Sequence, residues 1–122
     1  MKKRIQSFGY AGRGIKSVFG SEVNMKIHSV VIIIVVICGF VFNINVTEWI
    51  MCLLCIGLVV GAEMMNTAIE NVVDLASPDF HPLAAKAKDI AAGAVLICAI
   101  ISVLIGLLIF IPKVWNFVGG LL

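Results

Sequence analysis

Apolar positions dominate this chain in three long runs, and the polar positions between them fall in short clusters. The first stretch is different. Ile5, Phe8, Gly12, Ile15 and Phe19 recur at spacings of three and four, with Lys2, Lys3, Arg4, Arg13 and Lys16 on or beside the other face. That period predicts an amphipathic surface helix over residues 1–24, lying in a membrane interface. Two readings of it stand: an anchor that attracts anionic lipid, or a surface that touches a substrate. The basic start could open a signal peptide, but no apolar run follows it directly, so no cleavage is expected.

A polar break over Ser21–Lys26 precedes the first span, residues 25–42. About 18 residues cross a bilayer with some tilt. The Val and Ile content does not argue for a strand, because a lone strand cannot satisfy its backbone in lipid. The turn over Asn43–Glu48 holds no Lys or Arg; Thr47 is expected to cap the next helix, and Trp49 sits where an interfacial aromatic belongs. The second span, 47–75, runs without a turn cluster into a polar helix. Two prolines and an Asp make Ser77–Pro82 a loop. The third span covers 86–112 and contains the uncharged stretch Ile90–Ile111; Pro112 and Lys113 are expected to stop it, with Gly119–Leu122 frayed.

Composition turns this into a class. At 61% hydrophobic, 13% charged and a mean hydropathy of +1.14, the 122 residues read as one all-α integral membrane domain, 1–122, rather than a soluble one. So small a chain encloses little space, so oligomerisation is expected. Eight of the nine Lys and Arg fall on one side of the spans, six before the first and two between the second and third. By the positive-inside rule that side is cytoplasmic, with the N-terminus in and the C-terminus out. Cys52 and Cys55 form a CxxC with no second pair and no histidine nearby, so the four cysteines read as apolar filling.

The candidate chemistry lies where the second span turns polar. Glu63, Asn66, Glu70 and Asp74 follow at offsets of three, four and four, on one helix face beside Thr67. Acids this close to a bilayer core are costly unless paired, solvated or cation-bound. Spacing alone leaves open a solvated or interhelical polar face. Glu63 favours function, because it directly follows the apolar Gly57–Ala62 segment. There is no P-loop and no serine–histidine–acid set, and Gly9–Gly14 is no dinucleotide fingerprint. Carboxylates, an amide and lysines at a lipid surface suit phosphoryl transfer, which needs positioning, Mg²⁺ held by oxygen ligands and cations. Glu63 and Glu70 stand about 10 Å apart along the axis, suiting two roles rather than one shared metal. His81 reads as a solvated loop residue and His28 as a boundary residue.

GAEMMNTAIENVVDL resembles the signature of the small prokaryotic diacylglycerol kinase and undecaprenol kinase family, HPLAAKAKDIAAGAVL its second segment, and SFGYAGRGIKSVF with Glu22 its N-terminal part. The resemblance covers about residues 3–113. It implies a surface helix plus three spans, assembled as a homotrimer in the bacterial cytoplasmic (inner) membrane, transferring the γ-phosphoryl of ATP to a lipid hydroxyl. It implies Glu63 as catalytic base and Asn66 as its polar support. Glu22 and Glu70 would be linked to Mg²⁺. Tyr10, Asp79, Phe80, His81, Lys88 and Asp89 would contact ATP together with those two carboxylates, and Arg13, Gly14 and Lys16, with Glu63, the lipid. The two prolines before Lys86 and the GYAGRG segment look like the branch in Gram-positive bacteria that phosphorylates undecaprenol; diacylglycerol remains the other acceptor. No nucleic-acid partner is expected. The competing readings are a non-enzymatic assembly or transport subunit, and an ion carrier using Glu63.

Overall fold

The computed structural model describes residues 1–121 as four helices: α1 (Lys2–Ser21), α2 (Val23–Val41), α3 (Val46–Ala76) and α4 (Pro82–Leu121). No strand occurs among the described residues. The last three helices are each long and apolar enough to cross a membrane. At 1.5 Å per residue α3 is about 46 Å long and α4 about 60 Å, both longer than the roughly 30 Å of hydrocarbon they would cross.

Glu22 alone separates α1 from α2. Its backbone is extended (φ −87°, ψ 122°), its N–H closes α1 on the Val18 carbonyl, and its carbonyl accepts from Lys26 N. The tight connection of α2 to α3 needs Asn43 in the left-handed region, at φ 51°. Asn tolerates that region better than most residues with a Cβ. The next helix is capped by Asn45, not by Thr47 as its position suggested. Asn45 Oδ1 accepts from Glu48 N at 2.9 Å while Glu48 Oε1 accepts from Asn45 N at 3.1 Å. This reciprocal box satisfies two free backbone donors where Thr47 would satisfy one.

The expected stop at Pro112 does not occur: α4 continues through it to Leu121, and Leu122 lies outside the described residues. Proline removes one helical donor, that for the Leu108 carbonyl, and its fixed φ is otherwise helical. The same property lets Pro82 open α4 earlier than expected, since its missing N–H is one of the unpaired donors at a helix start. His81 completes that start: its Nδ1 accepts from Leu83 N at 3.1 Å.

α3 is the central element. α4 packs along it, α2 meets it more briefly, and α1 touches both α2 and α3. Both hairpins are antiparallel, and two ion pairs fix the register of the second. Lys113 reaches Glu48 at 3.1 Å at one end, and Lys88 reaches Asp74 at the other. Glu48 and Asp74 lie about 39 Å apart along α3, enough to bracket the hydrocarbon layer with charge at each edge. Near the Lys113 end, Ile44, Cys52 and Ile109 form a small core with Val35, Phe42, Trp49, Ile105 and Phe110 around it. Gly39 makes room for the Trp49 ring against α2: a Cβ there would stand 2.5 Å from the indole.

Candidate active site

At the opposite end, α3 buries polar groups that a soluble helix would turn to water. Glu63 is 1% exposed, Asn66 6% and Thr67 8%. Thr67 Oγ1 donates to the Glu63 carbonyl at 3.1 Å, and Asn66 Nδ2 donates to Glu70 Oε1 at 3.3 Å. The i, i+4 spacing makes both bonds local to one face, so the polar stripe is arranged by α3 itself. Asn66 Oδ1 is buried without a partner. An orphaned buried acceptor costs about 1–3 kcal/mol, which a merely structural residue would seldom retain.

The carboxylate of Glu63 faces α2. His28 Nε2 stands 3.6 Å from Glu63 Oε2, with the imidazole 20% exposed and the Glu63 side chain 2%. Sequence reasoning left His28 at a membrane boundary with no role. One signal would have found it: in a hairpin turning at residues 43–45, positions 28 and 63 are nearly equidistant from the turn.

One to two turns past Glu70, α3 meets the loop and α4. Asp74 and Lys88 pair there, beside a hollow of about 200 Å³ lined by Val73, Asp74, Asp79, Phe80, His81 and Lys88 among others. The structure thus brings together Asp79, Phe80, His81 and Lys88 of the expected nucleotide set, while Asp89 is exposed beside them. Ser77 Oγ donates to the Asp79 carbonyl at 2.7 Å and shapes the loop. His81 spends its Nδ1 on the α4 start, so only its other nitrogen is left to face a ligand.

The α1 residues stand apart. Tyr10, Arg13, Gly14 and Lys16 are exposed, and the contact among them is within the helix, with the Arg13 guanidinium 4.8 Å from the Tyr10 ring centre. Glu22 is half-buried at the α1–α2 junction. No cluster of three or more metal-ligating side chains occurs among the described residues. Between α1, α2 and α3 an open, apolar hollow of about 590 Å³ is lined by Phe19, Ser29, Ile32, Ile33, Ile56 and Val60, with Gly57 and Gly61. Ser29 and Gly61 place it next to His28 and Glu63 in the chain.

A family model described as prokaryotic diacylglycerol kinase matches residues 9–110. The chain belongs to that family. The match takes in each site residue from Tyr10 to Asp89. An undecaprenol kinase from Bacillus subtilis is 46% identical, over 93% of this chain and 92% of the relative. A diacylglycerol kinase from Synechocystis is 36% identical over 87% of this chain and 61% of its own length, and one from Escherichia coli 28% over 82% of each. With three apolar helices in such a family, this kinase is an integral membrane protein.

Proposed function

We propose that this chain transfers the γ-phosphoryl group of ATP to the terminal hydroxyl of a membrane lipid, with undecaprenol as the favoured acceptor and diacylglycerol as the second. The burial of Glu63 at the polar end of a membrane helix carries the reading. The 46% identity to an undecaprenol kinase favours that acceptor. The relatives' names count against a purely structural or transport role.

In this reading the lipid tail lies in the apolar hollow between α1, α2 and α3, which brings its hydroxyl to Glu63. Glu63 takes the hydroxyl proton as the oxygen attacks phosphorus, and Asn66 holds a polar group of the reacting centre with its free Oδ1. General-base catalysis of this kind contributes typically 10²–10⁴-fold. ATP comes from the water side, with Lys88, Asp89 and the Asp79–Phe80–His81 loop around it and Tyr10 lining it. Glu22 and Glu70 would hold Mg²⁺. The donor set fits, because Mg²⁺ is usually held by one or two carboxylates plus phosphates and water rather than by a cage of side chains. Glu70 has one oxygen engaged by Asn66 and a second available. When bound, the ion offsets phosphate charge. Arg13, Gly14 and Lys16 would face lipid headgroups on a surface-lying α1. The site end is cytoplasmic, in the bacterial inner membrane, with the C-terminus outside. Three copies assemble and share sites between neighbours, which accounts for Tyr10, Arg13, Gly14 and Lys16 standing apart from the α3 site residues within one chain.

The test is label transfer from ATP in mixed micelles, with undecaprenol and diacylglycerol offered separately and in competition. Preference for undecaprenol supports the proposal. Preference for diacylglycerol reverses the order of acceptors, and transfer to neither by folded protein removes the kinase reading.

A further inference from the structure

Glu63 is sealed and its neighbour across the helix interface is not. A base that takes a proton in each turnover must lose it before the next hydroxyl arrives. The polar neighbours on α3 offer no route. Thr67 Oγ1 points at the Glu63 carbonyl, and Asn66 Nδ2 is given to Glu70. An amide carries no proton in any case. On α2, His28 presents Nε2 to the Glu63 carboxylate at 3.6 Å, and its side chain is 20% exposed where that of Glu63 is 2%. That separation is longer than a hydrogen bond, and catalytic hydrogen bonds are often this loose before substrate binds. Imidazole has the property the position needs: it accepts a proton at one nitrogen and releases one from the other.

We propose that His28 is the proton outlet of Glu63. The inference rests on Glu63 being the base. As the lipid O–H bond breaks and the O–P bond forms, the proton passes to Glu63. The carboxylic O–H then breaks as an N–H forms at His28 Nε2. The imidazolium releases its Nδ1 proton to water, and tautomer exchange through water then returns the remaining proton to Nδ1, leaving neutral His28 with Nε2 free again and Glu63 ionised. One proton leaves for each phosphoryl group transferred, as the reaction of ATP with an alcohol requires. His28 acts through Glu63 and does not touch the reacting atoms.

The experiment compares His28→Gln, His28→Ala and Glu63→Gln in the full chain, in mixed micelles with labelled ATP and each lipid in turn. Gln retains a polar group at similar reach and cannot relay a proton. Both His28 variants are expected to lose at least about tenfold in kcat, with KM for ATP and lipid little changed. Added imidazole is expected to restore part of the His28→Ala rate and none of the Glu63→Gln rate. His28→Gln at the wild-type kcat overturns the outlet, and so does a folded His28→Ala that imidazole leaves unchanged. Should His28→Ala not fold, His28→Gln alone decides, its folding confirmed by Mg²⁺–ATP thermal protection. A fully active Glu63→Gln refutes the base reading itself; an inactive Glu63→Gln beside a fully active His28→Gln refutes only the outlet.

Discussion

Replacing Glu63 by Gln separates what the fold needs from what the chemistry needs. The shape is kept and one negative charge is removed from a side chain that is 2% exposed. Its nearest titratable neighbour is His28 at 3.6 Å, and no described residue donates a hydrogen bond to the carboxylate. Taking an ion out of water costs several kcal/mol even after relaxation, and one loose partner offsets only part of that. The amide lowers this cost and can hydrogen-bond in both directions, so Glu63→Gln is expected to gain about 1–3 kcal/mol of stability. Activity goes the other way. Loss of a general base removes about 10²–10⁴-fold, or about 2.7–5.4 kcal/mol of transition-state stabilisation. The two readouts are the unfolding midpoint in micelles and label transfer to lipid on the same preparation. A gain in stability with loss of turnover is the mark of a residue kept for function. A variant that unfolds more easily and loses activity in proportion would show Glu63 to be structural and refute the argument.

Four further outcomes follow from the geometry. Gly39→Ala adds a Cβ 2.5 Å from the Trp49 ring; overpacking costs about 1–3 kcal/mol against a helix gain of up to about 1, so a net loss near 1 kcal/mol is expected in thermal unfolding, turning to a gain in a Trp49→Leu background. Asn43→Val forces a β-branched residue to φ 51° and is expected to lose at least about 1–2 kcal/mol, whereas Asn43→Gly stays close to wild type in the same assay. The Asp74–Lys88 pair is largely exposed, so Asp74→Asn is expected to leave the unfolding midpoint close to wild type, while Lys88→Met raises KM for ATP in the transfer assay. Pro112→Ala restores a helical donor and is expected to raise the unfolding temperature without changing kcat.

The helices were legible because uncharged runs of this length admit few other structures, and the polar stripe was legible because offsets of three and four survive any packing. What the sequence hid is interhelical. Cap choice at residues 45–48 depended on a reciprocal bond that Asn45 makes and Thr47 does not. The end of α4 was not legible because Pro112 removes a single helical donor, and the residues after it can still continue the helix to Leu121. His28 was missed because pairing across a hairpin needs depth as well as sequence. Depth is recoverable: Gly39 and Trp49, like His28 and Glu63, lie nearly symmetrically about residues 43–45, and the pairs Glu48–Lys113 and Asp74–Lys88 do so about the loop before Pro82.

The burial pattern ties these points to function. In a protein folded against water the largest aliphatic side chains are the most buried. Here Glu63, Asn66 and Thr67 are sealed while Leu108 is 77% exposed and Leu96 60%. The inversion follows when lipid is the solvent: aliphatic side chains gain nothing by leaving it, and polar ones gain everything by facing protein. Interhelical space holds the apolar cluster of Ile44, Cys52 and Ile109 at one end and these polar groups at the other, and it is scarce in a chain with so little core. Placing an acid there, one helix away from a histidine and with an unpaired amide oxygen beside it, uses that space for groups that contribute little to packing. On the proposed mechanism, a lipid hydroxyl arriving sideways through the bilayer and a nucleotide arriving from water meet at a base held in that interhelical space.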